Sequence, residues 1–458
     1  MIGNNFLFGL VITAILLTCV PASASSYTLD VFGNANEDET IDLKDVEYTA
    51  SVVLGLDDQT QLADAKYDGE IDILDVTQIE LIMLGQEKEL TLLDMIDRTV
   101  TIPRPINRVV TISDGLVEST MIVFGVEETL VGLGSSCVGR ESYEYTYTTT
   151  SGDEFTYSGG KNTAAVLCPE LTDLPVFAQS RTGMNYETLA GLNPDIVILI
   201  AGSCTCGCSE TDENTMKSIE MIESLGILVV VLSTPNCCDA DIGAVYESIY
   251  IIGGVFSKWG EAEDLANIIE GEIEFIKDRT EDISDDEKPR VLSLSLMTLY
   301  GGGATVGSVT GTDMIESIFL DEIVNAKNAF DGIGKPSMSA EQILAIDPDV
   351  MILPTCRGYH PAREVYEGES LTELQDMRVV QEKQIYSLPW TPCRCGERLE
   401  FPIDLMIEAK ACYPDRFSDV TVSDWVIDFY MKVYGVDEDT AEELRSAQWL
   451  DWMTEEDF

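Results

Sequence analysis

Two stretches decide how this chain is built. Tyr186-Glu187-Thr-Leu-Ala-Gly-Leu-Asn-Pro194-Asp195-Ile-Val-Ile-Leu199 returns as Ala340-Glu341-Gln-Ile-Leu-Ala-Ile-Asp-Pro348-Asp349-Val-Met-Ile-Leu353. Each reads as a short helix, a Pro-Asp stop and an apolar run without alternation. Such a run predicts a strand buried on both faces, as in a parallel sheet. Glu, Pro and Asp recur at one offset of 154 residues. Two similar α/β lobes in tandem is the economical reading.

Working outward, Arg108–Ile112, Leu130–Leu133, Asp195–Ile200 and Ile227–Leu232 predict the strands of a first lobe over residues 90–259. Arg290–Leu294, Val350–Leu353 and Gln384–Leu388 predict a second lobe over 284–458. Between them, in 260–283, Leu265, Ile268, Ile269, Ile273 and Ile276 fall at helical spacing. A single helical strut of roughly 30 Å follows. The Tyr-rich stretch Ser142–Gly160 predicts an inserted β-hairpin that reshapes the cleft entrance.

The chain has 458 residues, enough for two to four domains. It carries 82 Asp+Glu against 27 Lys+Arg, a formal charge of −55. Such a surface repels phosphate backbones and excludes nucleic acid as a partner. It suits cation binding and a saline habitat. Phe6–Val20 is apolar and Ala22-Ser23-Ala24 follows, so 1–24 reads as a secretory signal peptide and the protein as secreted or cell-surface. Met1–Asn5 lacks Lys and Arg, which leaves an uncleaved membrane anchor as the alternative. Loss of Cys19 would leave eleven of the twelve cysteines, an odd number.

Residues 27–86 hold a second repeat. Asn34, Asn36, Asp38, Thr40 and Asp45 stand at positions 1, 3, 5, 7 and 12 of one loop. Asp64, Asp68, Glu70 and Asp75 stand at positions 1, 5, 7 and 12 of another. An apolar helix follows each loop. Oxygen donors at this spacing suit a hard cation, Ca²⁺. The pair resembles the dockerin domain, a small all-α module of paired EF-hand-like loops. In that family the module plugs into a cohesin partner. Two departures are plain: Glu39 replaces the turn glycine, and Lys66 takes a ligand position.

From Leu90 to about Gly435 the chain resembles the substrate-binding proteins that deliver iron chelates, haem and cobalamin to ABC importers. The resemblance rests on Asp97–Val110, the two Glu-to-Pro-Asp repeats, the strut, Arg398–Phe417 and Phe429–Gly435. It implies a fold of two Rossmann-like lobes joined by one long helix, a metal-chelate ligand and no catalysis. It further implies that Glu187 and Glu341 dock onto arginines of the two permease subunits. The alternative for each Glu is dipole complementarity in a first helical turn.

Ligands of open α/β sheets bind beyond the carboxyl ends of the strands. Cys137, Cys204, Cys206, Cys208, Cys237, Cys238, Cys356, Cys393 and Cys395 all follow predicted strands. Disulfides between cleft loops, an iron or iron–sulfur species, and free thiols all stay open for them. Arg357, Trp390, Arg394 and Arg398 are the further ligand candidates, as focused positive charge and an aromatic wall for an anionic chelate. His360, the one histidine, reads as a surface residue more readily than as a ligand. Two rival functions stand beside import: a nitrogenase-like metallocluster enzyme, against which the signal peptide argues, and a cohesin-bound surface scaffold component.

Overall fold

The computed structural model describes residues 27–135, 137–139, 142–178, 183–201, 213–233, 242–296, 306–354, 360–391, 398–456 and 458. The apolar runs form strands where they are expected. Leu130–Leu133, Val109–Ile112, Ile196–Ala201 and Leu228–Ser233 lie side by side in that order, all parallel. Every residue of Val109–Ile112 and Ile196–Ala201 is buried. A strand covered on both faces has no use for alternation, which is why the runs are continuous.

The second sheet is mixed. Arg290–Ser295, Val350–Leu353 and Ile385–Ser387 are parallel, as predicted. Beyond Arg290–Ser295 the antiparallel strands Gly307–Val309 and Ser337–Met338 extend the sheet, and Lys327–Asn328 pairs with its first half. These pieces are two or three residues long, too short for any pattern to show in the sequence.

The duplicated stretch builds one device twice. Backbone N–H of Asp195 donates to Arg108 O, and N–H of Asp349 to Arg290 O, both at 2.8 Å. In return the Asp195 carboxylate accepts from Arg108 N at 2.9 Å and Asp349 from Arg290 N at 2.9 Å. Arg108 Nε reaches Asn193 O at 3.0 Å, and Arg290 Nη1 reaches Asp347 O at 3.2 Å. Asn193 ends the first helix and Asp347 lies three residues past the second, both in the left-handed region at φ 47° and 45°, where short polar side chains are tolerated. Each Asp thus clips the start of the neighbouring strand.

The strut is a helix from Trp259 to Thr280. It buries Leu265, Ile269, Ile273 and Ile276 along one face, and helices of both lobes pack against it. On its buried side Glu272 accepts from Trp425 Nε1 at 3.0 Å and pairs with Lys432 at 2.7 Å. The chain does not stay in the second lobe. Helices Val422–Tyr434 and Glu438–Ala447 return to pack on first-lobe helices Leu116–Val123 and Thr163–Leu167.

Residues 27–86 form two helices, Leu43–Val53 and Ile73–Met83. Asp42 and Asp72 cap them, each in a reciprocal box with Asp45 or Asp75. This unit is built into the body rather than tethered to it. Phe32 N donates to Thr91 O at 3.0 Å and Leu93 N to Asp30 O at 2.8 Å. Leu29, Val31 and Ile82 belong to the main core of the body. Among the described residues, no helix is long and apolar enough to cross a membrane.

Candidate functional site

At the first-lobe strand ends, Ser113 and Asp114 follow Val109–Ile112 directly, and Ser135 follows Leu130–Leu133 by one residue. All three are buried. Ser135 Oγ donates to Asp114 Oδ1 at 2.7 Å, and Cys137 N donates to Ser135 Oγ at 3.1 Å. Beneath them Glu118 is 1 % exposed and accepts from Thr111 Oγ1. Its Oε2 meets no hydrogen-bond partner among the described residues. Burial, with the nearby Asp114 charge, pushes this carboxyl up. Sequence reasoning missed both acids, although the rule applied to the cysteines would have found Asp114, which directly follows a buried strand; Glu118 lies in the helix after it.

On the second lobe, Arg398 precedes the helix Phe401–Cys412 and is 7 % exposed. Its Nη2 pairs with Asp404 at 3.1 Å. Its Nη1 is buried and meets no acceptor among the described residues, an orphan donor of the kind folded proteins rarely keep. It lines a cavity of about 50 Å³ together with Glu316, Glu408, Phe319 and Phe401.

Trp390, expected as an open aromatic wall for the ligand, is 1 % exposed. Its ring lies 4.9 Å from Tyr143 and 4.9 Å from Trp449. Protein therefore covers the faces expected to meet ligand. The expected hairpin, Tyr143–Thr148 with Glu154–Gly160, covers them together with Trp449. His360 is corrected as well. It is neither a surface residue nor an open ligand, being 2 % exposed with Nδ1 at 3.1 Å from Tyr145 OH and 3.0 Å from Glu364.

Glu187 and Glu341 stand at the second position of helices Tyr186–Leu192 and Ala340–Leu344, both exposed. Other residues supply the caps: Asn185 accepts from Thr188 N at 3.0 Å and Ser339 from Gln342 N at 3.4 Å. Neither Glu forms an ion pair among the described residues. Cys204, Cys206, Cys208, Cys237, Cys238, Cys356, Arg357, Cys393, Arg394 and Cys395 lie outside the described residues. Cys168 and Cys412 form no disulfide among the described residues, and burial pushes the Cys412 thiol well up.

The two acidic loops share a frame, and each has a lysine beside its fifth-position Asp, Lys44 at 3.5 Å from Asp38 and Lys66 at 2.8 Å from Asp68. In the first, Asp45 accepts from Asn36 N at 3.1 Å and Asp42 N at 2.7 Å. Asn34 and Asn36 both accept from Asp38 N. Burial pushes the Asp45 carboxyl up to about 6, a strain that a bound cation would relieve. In the second, Lys66 Nζ sits 2.8 Å from Asp68 Oδ2, an internal cation on a would-be ligand. No group of three or more His, Cys, Asp or Glu is placed to hold a metal among the described residues. The three Asp of the second loop are therefore not gathered for one, whereas the first loop relies on Asn and Thr for its other donors.

Residues 128–391, more than half of the chain, match the periplasmic binding protein family. The molybdate-binding protein MolA of Haemophilus influenzae is 23 % identical over 359 residues, covering 74 % of this chain and 90 % of that one. An uncharacterized ABC transporter substrate-binding lipoprotein of Bacillus subtilis, YvrC, is 25 % identical over 240 residues, 52 % of this chain and 67 % of that one. In structure, a periplasmic solute binding protein from Veillonella parvula superposes with a TM-score of 0.60 at 19 % identity, over 80 % of this chain and 99 % of the other. MolA bound to molybdate superposes at 0.55 with 20 % identity, over 76 % and 98 %. These likenesses agree with the two sheets and the strut, and the chain belongs to the periplasmic binding protein family.

Proposed function

We propose that this protein captures an anionic, metal-bearing ligand outside the cytoplasm and hands it to an ABC importer. An iron chelate or a corrinoid is the ligand class that the sequence resemblance favours. The observation that supports the reading is a pair of exposed, duplicated glutamates, each just before a buried strand of one of two α/β sheets, in a chain of the periplasmic binding protein family. A two-fold permease asks for two matching contacts, and a cleft between them can hold one ligand. Glu187 and Glu341 supply the contacts. Arg357, Arg394 and Arg398 supply the positive charge, and the cleft cysteines supply soft donors for iron or an iron–sulfur species. A compact oxyanion is the second reading. It is favoured by the relative named for molybdate and by the orphaned Nη1 of Arg398.

The test is direct. Protein purified without oxygen is analysed for metal and titrated with ferric citrate, cyanocobalamin and molybdate. Saturable binding of at least one supports the reading. Metal-free protein that binds none of the three rejects it. Mass spectrometry showing Cys204, Cys206, Cys208, Cys393 and Cys395 in disulfides would reject the thiolate part alone.

The acidic module is proposed to bind Ca²⁺ through Asn34, Asn36, Asp38, Thr40 and Asp45, with the second loop already neutralised by Lys66. Calorimetry should find one site in the full chain, and Lys66→Asn should add a second. No calcium heat in either form rejects this assignment. Leu43 and Leu54 in the first repeat, with Ile73 and Leu84 in the second, are each more than half exposed. This duplicated apolar pair supports a cohesin-like partner for the module.

A further inference from the structure

The hairpin Tyr143–Gly160 leaves the first lobe just past the carboxyl end of its edge strand, Leu130–Leu133. It lands on the second lobe, at the carboxyl end of that lobe's edge strand, Ile385–Ser387. Arms of six and seven residues reach about 20 Å. The landing is fastened three times. Tyr145 OH, 9 % exposed, donates to the Glu364 carboxylate at 2.9 Å beside His360. Tyr147 OH donates to Glu367 at 2.9 Å, and Thr150 N to Glu367 O at 2.8 Å. At the base, Trp449 Nε1 donates to Ser158 O at 3.1 Å. Gly160 lies so close to Trp390 and Trp449 that a Cβ there would meet their rings at 3.0 and 2.8 Å.

We propose that this hairpin is a strap that closes one flank of the interlobe cleft and limits the ligand to a compact metal-bearing anion. The inference rests on the binding reading above and narrows it. An aromatic wall at Trp390 would give a large planar macrocycle a stacking face, and the strap already occupies that face. Its buried polar contacts tie the lobes at a set separation, since opening them would take the Tyr145 donor from the buried Glu364 carboxylate. A corrinoid would have to displace the strap to stack on Trp390. An open chelate or an oxyanion needs no such face.

An isolated two-stranded hairpin is marginal in water, so amide exchange reports whether this one is docked. In the full chain, amides of Tyr145–Thr148 and Thr156–Ser158 should exchange as slowly as those of Ile196–Ala201. Exchange at the rate of an exposed loop overturns the strap. For the size limit, the full chain should bind ferric citrate or molybdate and not cyanocobalamin. Replacing 144–159 by Gly-Ser-Gly should gain cyanocobalamin binding by at least about tenfold over the full chain. Tyr145→Phe with Tyr147→Phe, a milder release, should gain part of it. Cyanocobalamin binding by the full chain, or no gain in either variant, overturns the limit. If no form binds any of the three probes, the binding reading fails, while the exchange data still decide whether the strap exists.

Discussion

The two lobes share their outer frame and differ at their facing ends. Each has an exposed Glu at the second position of a capped helix, a left-handed stop, and an Asp that clips the neighbouring strand. At the strand ends nothing is repeated among the described residues. The first lobe offers Asp114, Ser135 and Glu118; the second offers Arg398, Asp404 and a cavity. A strap runs from the first to the second, and no return strap is found among the described residues. The contrast has a physical sense. A two-fold partner selects for identical contacts on both lobes, whereas one bound ligand has no two-fold and needs different walls.

The largest effect should come from breaking the repeated part. Glu187→Arg with Glu341→Arg should abolish importer stimulation in reconstituted vesicles while melting temperature and ligand affinity hold. Either reversal alone should cost at least about tenfold, or about 1.4 kcal/mol. Full transport by the double variant would leave both residues as dipole partners only.

Next in size is the non-repeated strap. Tyr145→Phe removes a donor from a buried carboxylate and should destabilise by about 1–3 kcal/mol. Urea unfolding midpoints measure it, and an unchanged midpoint would mean that the strap adds no stability.

The repeated clip is a finer comparison. Asp195→Ala and Asp349→Ala should each cost about 1 kcal/mol, because the same backbone donor loses its acceptor in both lobes. A large loss in one lobe and none in the other would show that the duplication is of sequence rather than of energetics.

The smallest effect concerns Glu118. Its carboxyl is raised by burial, so the folded state keeps a proton that the unfolded chain releases above the ordinary range near pH 4.3. Stability is therefore lost as pH climbs from that range toward the raised value. Glu118→Gln should melt higher than the parent at pH 8 and level with it at pH 4. Equal differences at both pH values would count against a protonated Glu118.

Much of the fold is legible in the chain because burial on both faces leaves an unbroken apolar run, as in Ile196–Ala201 and Val350–Leu353. Helical spacing likewise marked the strut, and Tyr/Thr alternation marked the hairpin. Two- and three-residue strands such as Lys327–Asn328 carry no period, and only their neighbour Arg290–Ser295 makes them strands. The site was less legible. Trp390 and His360 carry residue types that suit a ligand, but a side chain's availability depends on what else reaches it. Tyr143 and Tyr145, which reach them, come from more than 200 residues away in sequence.

By itself the sequence determined the repeat, the parallel runs, the acidic loops with Lys66 in one of them, and the two glutamates. These are local: each depends on spacing within a segment, or on the identity of two segments. Only the tertiary structure decided that the acidic module shares the core of the body through Leu29, Val31 and Ile82, and that the final helices return to the first lobe. It also decided that the hairpin crosses from lobe to lobe and that Arg398 spends one arm on Asp404 while the other meets no acceptor among the described residues. Such outcomes turn on which distant surfaces meet, and apolar packing is non-directional, so no pattern within a segment encodes its partner.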